Sequence, residues 1–192
     1  MTDPTPVPGP VLLRAGDLPV TRSGDRPVRR IAAGGPPGGG WTVSLLDLER
    51  PGVLPATAGA ERVLTVVDGE LLVLDVDGRE QGLERHRPFR LPADAPVGAA
   101  LPTGPVRALE VLAARGTARA HVVVLELSRK RPHPVFADQL AVLLSGRAVL
   151  TAGGTTEDVG VHDTVRGAEP ESPELTGRGF LAVVSLDPPA PD

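Results

Sequence analysis

Apolar runs of strand length, punctuated by Gly, Pro and Asp, recur along almost the whole chain and leave little room for anything but sheet. The clearest are WTVSLLDL (41–48), RVLTVV (62–67), ELLVLDV (70–76), ALEVLAA (108–114), AHVVVLEL (120–127), QLAVLLS (139–145), RAVLTA (147–152) and FLAVVSL (180–186). None continues at helical spacing over a dozen residues, so the expected fold is all-β. Two pairs, Asp68-Gly69 and Asp77-Gly78, separate such runs. Both central positions of a type I′ turn need positive φ, so each pair predicts a tight hairpin.

The pattern also repeats. LTVVDGELLVLDVDGREQGLERHRPFRLP (64–92) has a counterpart in LAVLLSGRAVLTAGGTTEDVGVHDTVRGA (140–168). Each reads strand, Gly turn, strand, Gly turn, short strand, then a polar segment with a His. Two such halves point to a bicupin, two jelly-roll-like barrels packed together; two unrelated hairpin sets would look much the same. The expected division is a mobile leader over 1–11, a first barrel over 12–128, a second half over 129–187 and a tail over 188–192.

Composition narrows the chemistry. Cysteine is absent, which removes disulfides, thiolate nucleophiles and zinc–thiolate sites and fits a reducing cytoplasm. The start, MTDPTPVPGPVLL, carries an acid and four prolines and no long apolar run, so neither a secretory signal nor a membrane span is expected. A net charge of −4 and a pI of about 5.6 argue against a nucleic-acid surface. The basic run RKRPH (129–133) reads as a solvated connection between halves. The skew to Arg over Lys and the absence of Asn and Tyr resemble a GC-rich genome, so an Arg here carries little functional weight by itself.

The motifs of familiar catalysts are missing. The four histidines, His86, His121, His133 and His162, are scattered, with no pair at metal-ligand spacing, although His86 and His162 hold similar places in the two repeats. No Ser sits in a Gly-x-Ser-x-Gly elbow, and GGPPGGG (34–40) lacks the Lys and helix of a phosphate loop.

From about Leu12 to Leu127 the chain resembles the HutD/Ves family, bacterial cupin-fold proteins of the histidine-utilisation type. Trp41, Ser44, Gly52, Gly59, Arg62, Leu64 and Gly69 fall on family positions, as do Phe89, Asp94, Leu101, Gly104, Pro105, Val106, Val111, Arg115 and Gly116. The departures concentrate at polar positions: Ser23 and Arg30 stand where the family has Asn and Glu, and Ala108, Glu110 and Ala114 where it has Asp, Asn and Arg. The resemblance implies a regulator that senses a small carboxylate in histidine or related amino-acid catabolism.

What chemistry remains lies in charges on otherwise apolar strands. One reading is a small cavity in which Arg29, Arg62 and Arg115 attract a carboxylate while Ser44 and Glu110 orient it. The other is a structural Arg–Glu pair that closes the barrel. The expected function is thus a non-catalytic, small-molecule-binding regulatory protein without cofactor, nucleic-acid or membrane partner, plausibly a homodimer. A metal-dependent cupin enzyme and a ligand-free dimerisation scaffold are the alternatives.

Overall fold

The computed structural model describes residues 11–23, 26–36 and 40–187, so the expected leader up to residue 10 and the tail 188–192 lie outside the described residues. The strands, in chain order, are β1 (Leu12–Leu13), β2 (Val20–Ser23), β3 (Arg26–Gly34), β4 (Trp41–Leu48), β5 (Gly52–Leu54), β6 (Ala60–Asp68), β7 (Leu71–Val76), β8 (Arg79–Glu84) and β9 (Phe89–Pro92). They continue as β10 (Val97–Ala100), β11 (Val106–Ala114), β12 (Arg119–Glu126), β13 (His133–Pro134), β14 (Gln139–Ala152), β15 (Thr155–Val159), β16 (Thr164–Arg166) and β17 (Glu174–Asp187). The all-β expectation holds: one turn of 3-10 helix, Ala15–Asp17, is the only helical element among the described residues, and no helix is long and apolar enough to cross a membrane.

In the first half a six-stranded sheet, β2-β3-β4-β11-β6-β9, faces a four-stranded sheet, β5-β10-β7-β8. Leu46, Leu64, Val66 and Ala108 from the first and Leu54, Leu72, Leu74 and Val97 from the second fill the space between them. The second half is one seven-stranded sheet built on β14 and β17. These two strands are 14 residues long and bend together, so that Leu143 and Leu181 at one end and Leu150 and Leu175 at the other share one core. The sheets are open; none closes into a barrel by hydrogen bonding.

A third core joins the halves. Val43, Leu45, Leu109 and Val111 of the six-stranded sheet pack on Leu140, Val142, Ala182 and Val184 of the other. This explains the runs that read as continuously apolar: in β14, Leu140, Val142 and Leu144 face the joint while Ala141 and Leu143 face their own half. Two strands cross the expected division at residue 128, for β1 pairs with β16 and β12 with β17, both in the second sheet.

One turn corrects the sequence reading. Asp77-Gly78 is the expected hairpin, with both φ values positive (53° and 74°) and Val76 opposite Arg79. Asp68-Gly69 is not: β6 pairs with β11 and β9, and β7 with β10 and β8, so the pair is a corner where the chain changes sheets. Gly69 alone there has positive φ, 86°, and a Cβ on it would come within 2.7 Å of Val106 Cγ1. Close approach of the backbone, not hairpin geometry, requires the glycine.

The two halves repeat in detail. His86 and His162 both adopt left-handed φ (63° and 70°), and their N–H groups donate to Val66 O at 2.8 Å and Leu143 O at 2.7 Å. A register shift follows each acceptor strand at the same place, between Arg107 and Ala108 on the partner of β6 and between Leu143 and Ser145 in β14. Val63 opposite Arg90 and Val111 then corresponds to Leu140 opposite Arg166 and Val184.

Candidate functional site

Ser44, Glu110 and Leu64 lie side by side across β4, β11 and β6, and Arg62 is one step along β6 on the same face. That face also carries Leu46, Val66 and Ala108, so strand alternation points all three polar residues into the first half's interior. Arg62 is 1% exposed and Glu110 9%. Arg62 Nε stands 2.8 Å from Glu110 Oε1, and Nη2 donates to Pro55 O at 2.7 Å. Nη1 is buried with no hydrogen-bond partner, and the Nε contact lacks hydrogen-bond angles. The guanidinium is therefore only partly satisfied.

Burial pushes the Glu110 carboxyl above its ordinary value, and the adjoining Arg62 guanidinium offsets this only in part. The second half has no such pair: by the repeat, Gln139 stands for Arg62 and Val183 for Glu110, and Gln139 Nε2 instead donates to Ser185 Oγ at 3.2 Å. The charged pair is a property of one half, not of the fold.

Beside this row lies a cleft of about 450 Å³ whose lining includes Arg30, Thr42, Thr57, Ala60 and Leu112, but none of Arg62, Glu110 and Ser44. Thr42 is opposite Leu112, and Leu112 opposite Arg62, so the cleft floor adjoins the buried pair. Of Arg29 and Arg30, it is thus Arg30 that borders the mouth.

The other two candidate arginines are elsewhere. Arg29 lies on the opposite face and pairs with Asp47, which also takes Arg107 Nε at 2.5 Å. Arg115 makes a two-pronged contact with Asp94 at the surface, 2.7 Å to each oxygen. The structure brings together Arg62, Glu110 and Ser44, and places Arg29 and Arg115 apart from them.

Sequence reasoning missed the polar chain at the joint. Arg107 Nη1 lies 3.1 Å from His162 Nδ1; Arg can only donate, so Nδ1 accepts and the ring is neutral with its proton on a buried, unpartnered Nε2. Burial first, then the Arg107 charge, holds His162 below its ordinary value. Burial raises Asp47, but hydrogen bonds from Arg107 and Arg29 outweigh it and leave the carboxyl below its usual range. His86 makes the matching contact in the repeat, its ring on Phe180 with centroids 5.1 Å apart. Nothing in the spacing of single histidines signals that each reaches into the other half. Among the described residues no three His, Asp or Glu side chains converge as metal ligands.

Likeness to solved structures defines the class: this is a cupin-fold protein. The cupin 2 conserved barrel domain protein from Leptotrichia buccalis matches with a TM-score of 0.61 at 12% identity, over 92% of this chain and 96% of that one. PA5104 from Pseudomonas aeruginosa PAO1 matches with a TM-score of 0.77 at 24% identity, over 92% and 97%. HutD from Pseudomonas fluorescens SBW25, in a structure described as a formate condition, matches with a TM-score of 0.75 at 25% identity, over 93% and 98%. The HutD family model matches residues 31–183, and the chain belongs to the HutD family. No curated protein matches it.

Proposed function

We propose that the protein is a non-catalytic binding protein for a small carboxylate, acting in the cytoplasm as a regulator of amino-acid catabolism of the histidine-utilisation type. The observation that carries this reading is the buried, incompletely bonded Arg62 guanidinium, whose strand neighbour Leu112 lines an open cleft. A guanidinium with a free donor is suited to a carboxylate oxygen, and Glu110 fixes its orientation. Formate is the small carboxylate named with the similar Pseudomonas fluorescens protein, which supports the ligand class.

The test is thermal unfolding against formate, urocanate and N-formylglutamate. A ligand that binds only the folded state raises stability by RT ln(1 + [L]/Kd), about 2.7 kcal/mol at a hundredfold excess over Kd. The paired variant Arg62→Met/Glu110→Leu removes both charges together, which avoids stranding either in the core, and abolishes the response. We also propose a homodimer formed through exposed sheet edges such as β12, which ends its sheet and exposes Val123. Light scattering at micromolar concentration tests it.

A further inference from the structure

The repeat supplies a comparison within one chain. In the first half Glu61 and Arg90 form an ion pair, and Arg90 also donates to the Ala120 carbonyl across the joint. The register that aligns Val63 with Leu140 and Arg90 with Arg166 also aligns Glu61 with Asp138. Ala113 opposite Glu61 has its counterpart in Leu186, whose N–H donates to Asp138 O at 3.0 Å.

At this second position the pair does not close. Asp138 is one methylene shorter than Glu61, and neither its carboxylate nor the Arg166 guanidinium has a hydrogen-bond or ion-pair partner among the described residues. Both instead line a cavity of about 260 Å³ between the halves. Trp41 and Leu140 line it too, with Leu186 and Ala33. The site therefore offers one anion, one cation and an apolar aromatic wall. Asp138 is exposed, while Arg166 and Trp41 are half-buried.

We propose that this cavity binds a small apolar α-amino acid as its zwitterion, with the ammonium group on Asp138, the carboxylate on Arg166 and the side chain against Trp41. A simple anion would meet the Asp138 charge, and a simple amine the Arg166 charge, so each half-ligand is penalised where the zwitterion is satisfied. The volume suits a ligand of a few heavy atoms. The site is separate from the Arg62 cleft, although Ala33 and Trp41 border both.

Trp41 is the one tryptophan and serves as the reporter. The experiment titrates its fluorescence, with calorimetry in parallel, using L-valine and L-leucine, then 3-methylbutylamine and 4-methylpentanoate as the two half-ligands of leucine. The expected result is saturable binding of an amino acid and at least tenfold weaker binding of each half-ligand. Asp138→Asn and Arg166→Gln abolish it with an unchanged unfolding temperature, whereas Arg62→Met/Glu110→Leu retains it. Retention in that variant separates this site from the carboxylate cleft, so either can fail alone. No saturable signal or heat with either amino acid overturns the proposal, as does equal binding by the Asp138 and Arg166 variants.

Discussion

Arg62 and Glu110 meet at 2.8 Å inside the first half, while the matching positions of the second half hold Gln139 and Val183. Removing one partner strands a buried charge, at roughly 3–5 kcal/mol, whereas replacing both by apolar groups is often neutral or stabilising. Glu110→Ala is therefore expected to lower stability by roughly that amount and Arg62→Met/Glu110→Leu to leave it within about 1 kcal/mol. Urea unfolding of the two variants checks this.

Gly69→Ala tests the corner where β6 hands the chain to β7. The new Cβ meets left-handed φ and the Val106 side chain together. A loss on the order of 1–3 kcal/mol is expected. Gly78→Ala strains φ alone, with open space around it, and is expected to cost less.

Acid is expected to weaken the fold through its histidines. Burial holds His86, His133 and His162 below their ordinary value, with Arg85 and Arg107 adding to the effect on His86 and His162 respectively. A lowered folded value means that the neutral form stabilises: the contribution is complete above the unfolded value of about 6.5 and is lost as the pH falls through the folded one. Unfolding temperature should drop as the pH falls below about 6.5, and His162→Gln should flatten part of that slope.

Asp47 acts in a lower window. Its folded value lies below that of the unfolded chain, so its contribution is present above about pH 4 and is lost as the pH falls through the folded value. Asp47→Asn leaves Arg29 and Arg107 without their carboxylate and is expected to destabilise at pH 7 while reducing the acid dependence. Acid titrations of both proteins, followed by circular dichroism, check it.

Much of this was legible from sequence because alternation and turn chemistry are local. The strand runs, the Asp77-Gly78 hairpin, the repeat and the inward placing of Arg62 and Glu110 all follow from neighbours in the chain. Asp68-Gly69 reads as a hairpin because a glycine needed for close approach looks the same in sequence as one needed for a hairpin. Arg29 and Arg115 look the same as Arg62 in sequence because strand order and the face each residue takes are set by long-range pairing. Asp47 and Asp94, which bind those two arginines, lie 18 and 21 residues away in the chain. The contacts of His86 with Phe180 and His162 with Arg107 span the joint and carry no local signal.

The central claim is that Arg62 gives the cleft its ligand, and the most direct measurement is a calorimetric titration of formate and N-formylglutamate into the protein and its Arg62→Met/Glu110→Leu variant. The account predicts saturable heat with at least one carboxylate and none in the variant, with both proteins folded to the same degree. Equal heats in the two proteins, or none in either, would contradict it and leave the buried pair a structural feature of the first half.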